Sequence, residues 1–428
     1  MCSSDLTRVT HPYLCSFQGA VRNGVVLLLG LAAIAACTAN GPLAPPSSPA
    51  AKRTTPAPTS TPTPSPSPSP TPSASASPTP EPSPVVVPAW AALHASCVSA
   101  ATAQEAVLQL QGATTPVLAD VSDAKAPRTL CGISGGNFQP ELVTQTMISW
   151  YATKGKVDAP GTSVIAVLDL FTGTSTVAAT WSGGGFMDGL HAWSPDRGFL
   201  AYVASDQSSV TLHLLSGGGD RVVATLGAVP GRGLNPNEDD SYLGFSPDGA
   251  YFALVQTFTG SGDQLQVRRT IDGTLAFSLS RATMATWGSS GSKLYYRMPG
   301  SSVVQVWDSS AGVSQAFGQP ATWIRPRADA GDDYLAFTVR DSVGTPHVWL
   351  YGHSGRAGGQ LPNVRSSAVW LNSTTFFYLE EAPCSPNCGI GPAWQPDGKT
   401  FTFDIAAQAE ASSRISQVYG TWPRPGQT

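Results

Sequence analysis

The sequence has few charged residues, because Asp, Glu, Lys and Arg make up 12% of its 428 residues. That is about half the usual share for a soluble domain. The 28 Asp and Glu outnumber the 24 Lys and Arg, and the net charge is −4. A chain without a basic surplus lacks the electrostatic footprint of a nucleic-acid-binding protein, so we expect no nucleic-acid partner.

The sequence also lacks an apolar run long enough to cross a bilayer as a helix. The apolar stretch 23–36 is too short for that and has the length of a signal-peptide core. It ends at Ile34-Ala35-Ala36-Cys37, which resembles the lipobox of bacterial lipoproteins, whose cysteine receives the lipid. We interpret 1–20 as an artefactual extension, 21–36 as the signal peptide and Cys37 as the lipidation site. The alternatives are a free cysteine in a signal peptide and a single membrane anchor.

Proline, serine and threonine dominate residues 41–88. Such a segment has little apolar surface to offset the entropy of an ordered chain, so we expect it to be disordered and extended. Residues 37–88 are therefore predicted to be a lipid anchor and a stalk. The predicted location is extracytoplasmic, anchored by lipid to the bacterial cell membrane or cell surface.

Cysteine is scarce, with seven residues in the whole chain. Beyond Cys37 there are four, namely Cys97, Cys131, Cys384 and Cys388. An even number outside the cytoplasm indicates two disulfides, for which three pairings are available. The short spacing of Cys384 and Cys388 favours that pair together with Cys97–Cys131. A zinc site is the alternative, but no second pair of ligands has matching spacing.

Glycine and proline are abundant instead, at 43 and 37 residues, which favours a turn-rich all-β fold. One unit recurs: an aromatic residue, a turn containing Pro-Asp and a β-prone aromatic strand. The three clear copies begin at Trp193, Phe245 and Trp394, and the weaker copies begin at Phe138, Trp287, Trp323 and Trp370. In such a turn proline restricts φ and the aspartate caps the backbone, so we interpret Asp196, Asp248 and Asp397 as turn caps.

The copies lie about 40–50 residues apart and most contain about four short strands, which indicates a β-propeller. The Trp-Ser-Pro-Asp unit resembles the WD40-like (PD40) repeats of the TolB propeller family over 138–405. We predict an all-β propeller of six four-stranded blades in 138–428, with 89–137 docking on it. A seventh blade completed by the N-terminal segment is the alternative. The resemblance implies the fold alone, because such blades occur in binding proteins and as gating domains of peptidases.

No motif in the sequence indicates catalysis, and we predict no catalytic residue, cofactor or metal site. Gly132–Gly136 matches the nucleophile-elbow string but lacks its strand-turn-helix context, so it is interpreted as a glycine-rich loop. The acidic cluster 235–240 is a weak calcium candidate that lacks the EF-hand residues, and a solvated loop is the favoured interpretation. The tryptophans at repeat positions are interpreted as packing between blades, with sugar stacking as the alternative.

These features favour a surface-anchored, non-catalytic binding or scaffold lipoprotein that presents a face to a protein, peptide or glycan. The alternative is a propeller enzyme, a lyase or hydrolase of extracellular glycan or peptide, with its site at the channel mouth. Polar residues just ahead of the repeat aromatics are expected to line the central channel. The candidate ligand site consists of Asp188, His191, Asp240 and Arg365, whose replacement is expected to leave the melting temperature nearly unchanged. A polar channel wall that binds no ligand is the alternative.

Overall fold

The structure is a computed structural model, and all its described residues lie in the compact unit Ser83–Thr428. The described residues are 85–98, 106–111, 115–136, 140–155, 161–183, 190–206, 208–228, 242–256, 264–280, 282–288, 293–298, 301, 303–320, 327–328, 334–341, 345–352, 359–372, 374–383, 394–416 and 418–422.

Within these ranges the chain forms seven β-sheets, each of which is one blade of a β-propeller. In six of them four strands follow one another from the centre outwards. Blade 1 consists of β5 (Glu141–Leu142), β6 (Met147–Lys154), β7 (Thr162–Asp169) and β8 (Ser175–Ser182). Blade 2 consists of β9 (His191–Trp193), β10 (Phe199–Ser205), β11 (Ser209–Ser216) and β12 (Gly219–Ala228). Blade 3 consists of β13 (Tyr242–Phe245), β14 (Tyr251–Gln256), β15 (Gln264–Arg269) and β16 (Leu275–Leu279).

The next three blades repeat this order. Blade 4 consists of β17 (Thr283–Trp287), β18 (Lys293–Arg297), β19 (Val303–Asp308) and β20 (Val313–Pro320). Blade 5 consists of β21 (Arg327–Ala328), β22 (Tyr334–Arg340), β23 (Pro346–Gly352) and β24 (Gly359–Gln360). Blade 6 consists of β25 (Arg365–Trp370), β26 (Thr375–Pro383), β27 (Trp394–Asp404) and β28 (Ala409–Ser413).

Blade 7 joins the two ends of the described chain. Its innermost strand is the last one, β29 (Val418–Trp422), and outwards follow β2 (Ala106–Gln111), β3 (Thr115–Asp120), β4 (Arg128–Gly135) and β1 (Leu93–Cys97). A 3₁₀ turn at Ala89–Ala91 precedes β1. The innermost strands of neighbouring blades contact each other, β29 with β5, β9 with β13, β13 with β17, β17 with β21 and β21 with β25. The ring is therefore closed by the pairing of β2 with β29.

The hydrophobic core lies between the blades. In β10 every residue from Leu200 to Ser205 is buried, because both faces of the strand meet a neighbouring blade. Leu200 and Tyr202 pack against Ile165 of blade 1, whereas Val203 packs towards blade 3. The outermost strands have only one neighbour in their own sheet and remain partly exposed, as the pattern of β16 shows.

The Ser-Pro-Asp turns connect the first and second strands of blades 2 and 3. The Ser194 hydroxyl donates to Asp196 Oδ1 at 2.6 Å, and the Gly198 N–H donates to the same oxygen at 3.0 Å. These two bonds hold the pKa of Asp196 below its usual range. The same bonds recur around Asp248, where the Ser246 hydroxyl donates at 2.6 Å. The predicted capping is thus confirmed in these two turns.

The sequence prediction of an all-β propeller is confirmed, with four strands in six blades and five in blade 7. The number of blades is seven, so the prediction of six was wrong and its alternative, a seventh blade completed by the N-terminal segment, is confirmed. The segment 89–137 was expected to dock on the propeller, but it contributes β1 to β4 of blade 7. These strands fill the place between blades 6 and 1, because Val107 shares a buried cluster with Phe377 of blade 6 and Leu118 shares one with Ile148 of blade 1. The repeat copy at Trp394 begins no blade, because this residue starts the third strand of blade 6.

The predicted disulfide between Cys97 and Cys131 is confirmed. It links two directly paired residues of β1 and β4. Cys384 and Cys388, the lipidation candidate Cys37 and the predicted segments 1–20 and 21–36 lie outside the described residues. No helix in the described ranges is long and apolar enough to cross a membrane.

The two Ser-Pro-Asp turns differ at one strained position, which yields a stability prediction. Arg197 has φ 63° in the first turn, and Gly249 has φ 70° at the same place in the second. An L-residue pays a steric cost in this left-handed region, so Arg197→Gly is expected to stabilise the protein by about 0.5–1 kcal/mol. Gly249→Ala is the matched opposite change and is expected to destabilise by about 1 kcal/mol. Urea unfolding measures the free energy of unfolding of both variants. A lower value in Arg197→Gly than in the unchanged protein would contradict a steric cost at Arg197.

Candidate functional site

The two faces of the propeller differ in the connections that they carry. On one face short, regular turns join the first strand of a blade to the second and the third to the fourth. On the opposite face, connections enter each innermost strand and join the second strand to the third. The two longest intervals between strands of the ring, 229–241 and 384–393, lie outside the described residues, but the strand ends that flank them are on this second face, which we call the loop face. His191 and Arg365 are the first residues of innermost strands and therefore lie at the loop face.

His191 is buried between blades 1 and 2, with 4% of its surface exposed. Its Nε2 lies 2.8 Å from the hydroxyl of Ser149, a fully buried residue of β6. The imidazole thus forms a hydrogen bond across the interface of two blades. Such a bond satisfies two polar groups that would otherwise be costly to bury.

Arg365 is also buried, with 5% of its surface exposed, and its guanidinium lies along its own blade. Nη1 is 3.0 Å from Glu380 Oε2, and Nη2 is 2.9 Å from Glu410 Oε1. The centre of the guanidinium stands 3.9 Å above the ring of Phe401. The side chain therefore connects β25 to β26, β27 and β28, and it carries part of the internal structure of blade 6.

Tyr378 completes this arrangement in blade 6 by donating its hydroxyl to Glu410. Burial, followed by the bond to the carboxylate, raises the pKa of Tyr378, so the phenol remains a donor at neutral pH. We call a bond from a second-strand tyrosine to a fourth-strand carboxylate a Tyr–acid latch. It links the second and fourth strands across the third.

Blade 2 contains a second Tyr–acid latch. The Tyr202 hydroxyl donates to Asp220 Oδ2 at 2.7 Å, and burial together with this bond raises the pKa of Tyr202. His213 occupies the third strand at the place that Phe401 has in blade 6. Its ring stacks on Tyr202 with the centroids 4.8 Å apart, and its Nδ1 lies 3.0 Å from Asp220 Oδ2.

In blade 2 a hydroxyl, an imidazole and a carboxylate are connected in the order found in the catalytic triads of acyl-transfer enzymes. The Thr211 hydroxyl lies 2.9 Å from His213 Nε2, and His213 in turn contacts Asp220. The same hydroxyl also lies 3.3 Å from the carbonyl oxygen of Ala204, to which it can donate. The blade 6 latch does the same structural work with phenylalanine in place of histidine. The comparison of the two blades therefore favours a structural role for His213.

The sequence analysis missed both latches. The available signal was a tyrosine at the same place in two second strands, Tyr202 and Tyr378, and an acid as the second residue of the corresponding fourth strands, Asp220 and Glu410. Each acid is distant from its tyrosine along the chain and carries no motif of its own. The pairing therefore becomes visible only when the strands of a blade are aligned.

The remaining sequence candidates are distributed as follows. Asp188, Asp240 and the acidic cluster 235–240 lie outside the described residues, so the four-residue ligand site stays a prediction. Among the described residues no group of three or more His, Cys, Asp or Glu is placed to hold a metal ion. The nucleophile-elbow string around Ser134 was interpreted as a loop, but residues 132–135 belong to strand β4, in which Ser134 pairs with His94. Of the repeat tryptophans, Trp287 and Trp370 are buried, as predicted for packing between blades.

No protein-family model matches the chain, and no curated protein matches it. Among solved structures it is similar to TolB from Acinetobacter baumannii, with 18% identity and a TM-score of 0.40 over 60% of this chain and 63% of that one. It is also similar to the β-propeller domain of the Trilobed protease from Pyrococcus furiosus, with 8% identity and a TM-score of 0.43 over 64% and 81%. A prolyl endopeptidase shares 13% identity and a TM-score of 0.49 over 76% of this chain and 50% of that one. Similarity at this level assigns no activity to the chain.

The contacts of Arg365 correct one expectation and generate a prediction. Removing one partner of a buried ion pair leaves the other charges poorly solvated, so Arg365→Met is expected to destabilise the protein by about 2–4 kcal/mol. Lys399 is the matched control, because it shares Glu380 with Arg365 but its side chain is 64% exposed. Lys399→Met is expected to change stability little. Urea unfolding of both variants is the measurement, and equal effects would contradict the structural role of Arg365.

Proposed function

We propose that the protein is an extracytoplasmic, lipid-anchored propeller of the TolB-like kind that binds a protein, peptide or glycan and does not catalyse a reaction. The binding surface is the loop face. The observation that carries the proposal is the length of the connections, because the strand bounds leave the longest intervals, 229–241 and 384–393, between strand ends of the loop face. Loops on a rigid scaffold are the usual place for binding residues in such folds.

We propose that the ligand site predicted from the sequence belongs to this same face. Asp188 and Asp240 lie outside the described residues, and along the sequence they come shortly before the innermost strands β9 and β13. His191 and Arg365 begin innermost strands there, but each is bonded within the blades. We therefore assign the contact with ligand to Asp188 and Asp240, and we assign a supporting role beneath them to His191 and Arg365.

The closed ring favours a binding scaffold over a gating domain. A propeller that admits substrate between its blades needs a seam that opens. In this chain four residues of β2 pair with β29, and the Ser416 N–H donates to the side chain of Gln109 at 2.9 Å beside that seam. Such a seam keeps the loops of the binding face at fixed distances, which reduces the entropy lost on binding.

A binding experiment on the whole chain tests the proposed face. A panel of glycans and peptides is screened for saturable binding, and the products are examined by mass spectrometry. Joint replacement Asp188→Ala and Asp240→Ala is expected to weaken binding of any hit at least about tenfold, the loss of one charge-assisted contact. Asp196→Asn with Asp248→Asn is the matched control, because these acids lie in turns of the opposite face.

Two outcomes of this experiment would contradict the proposal. Product formation from any panel member would establish the enzyme alternative, a lyase or hydrolase of glycan or peptide. Binding that is weakened equally by both pairs of replacements would remove the loop face as the binding surface. The melting temperature of each variant is measured alongside, so that unfolding is distinguished from loss of contact.

The lipid anchor is supported by the apolar run and the Ile34–Cys37 sequence, and mass spectrometry tests it. The membrane fraction of expressing cells is expected to contain an N-terminal peptide that begins at Cys37 and carries a diacylglyceryl group. Cys37→Ser is expected to abolish the modification and to release the protein from the membrane fraction. An unmodified Cys37 within a longer mature chain would overturn the anchor.

A further inference from the structure

The residues 85–97 form a strap across the junction of blade 7 and blade 1. At its start, the Val177 N–H of β8 donates to the Val85 carbonyl oxygen at 3.0 Å. In its middle, the Trp150 indole N–H of β6 donates to the Ala91 carbonyl oxygen at 2.8 Å. At its end, β1 pairs with β4 of blade 7. The strap thus contacts the outermost and second strands of blade 1 and the outermost part of blade 7.

The strap is packed as well as hydrogen-bonded. Val87, Ala91 and Leu93 are buried in one hydrophobic cluster with residues of both blades, among them Leu118 of blade 7 and Ile148 of blade 1. A strap that shares a core with two blades resists removal from either of them.

The disulfide of the strap has a topological consequence. It joins Cys97, at the end of β1, to Cys131 in β4, and the two residues are 34 positions apart. The covalent loop that it closes contains both β2 and β3. Since β2 pairs with β29, the strand that closes the ring lies inside the disulfide loop.

Tension that enters the chain on the N-terminal side of the strap has two possible routes. With the disulfide formed, tension can peel β1 from β4 only as far as Cys97 and then passes through the two sulfur atoms into β4. Without the disulfide, peeling continues along the chain past Cys97 into β2. The loss of β2 from β29 would open the ring.

We propose that the disulfide-locked strap is a mechanical attachment that carries load from the N-terminal side into blades 7 and 1 and shields the ring-closing strand from it. The biological use of this device rests on the proposed anchor and stalk, which would transmit such load. After reduction of the Cys97–Cys131 bond, tension can separate β1 from β4 and then β2 from β29.

Single-molecule pulling on the whole chain tests this proposal. The chain carries one ligation tag at its N-terminus and one inserted in the exposed turn at Ala311 of blade 4, because a tag after β29 would pull the ring-closing strand directly. It also carries the replacements Cys384→Ser and Cys388→Ser, so that Cys97–Cys131 is the disulfide under test. Each molecule is pulled before and after addition of a reductant. Because each molecule folds with the Cys97–Cys131 bond present, the comparison needs no replacement of these two cysteines.

Before reduction, any early release is expected to be limited to the strap, about 40 Å of extended chain. After reduction, an early release of about 90 Å is expected, which corresponds to residues 85–111 and includes β2. Trp150→Phe removes the indole donor and is expected to lower the force of the first release without changing its length. Equal early release in both redox states, or none in either, would overturn the proposal. An unlipidated Cys37 would contradict the proposed anchor but would leave this result unaffected.

Discussion

The structure depends on the pairing of its last strand with a strand near the start of the described chain. Ala106 pairs with Trp422 and Val107 with Thr421, although more than 300 residues separate the partners. Each blade of a ring has two neighbours, so its apolar flanks are covered on both sides. Without this pairing, blades 6 and 7 would separate at the cluster that holds Val107 and Phe377, and each would expose a flank.

Coverage on both flanks also explains why the chain is poor in charge. The second strands of the blades are buried on both faces, as in β10, so most of their positions exclude charged residues. Charges that do lie between strands are held by several partners, as Arg365 is by two carboxylates and an aromatic ring. Several charged residues of the second strands lie at strand ends, as Lys154, Lys293 and Arg297 do.

Different blades are stabilised by different groups, although they share one internal repeat. Blades 2 and 3 use the Ser-Pro-Asp turn, with the same bonds around Asp196 and Asp248. Blades 2 and 6 use a Tyr–acid latch, whereas blade 7 relies on the disulfide. These groups include many of the polar residues that would otherwise be candidates for catalysis or ligand binding. The function that we propose is assigned to the connections of the loop face, whose lengths differ from blade to blade.

The sequence by itself determined the strand-turn unit, the all-β class, the capped turns and the Cys97–Cys131 pair. The first three depend on residues close together in the chain or on a spacing that repeats, and the Cys97–Cys131 pair was favoured because the short spacing of Cys384 and Cys388 favoured those two for each other. Only the tertiary structure decided that there are seven blades, because closure joins two ends that share no local pattern. It also decided the surroundings of His191 and Arg365, which the sequence placed on innermost strands. A position in a strand follows from local pattern, but the neighbours of a side chain come from other strands and other blades.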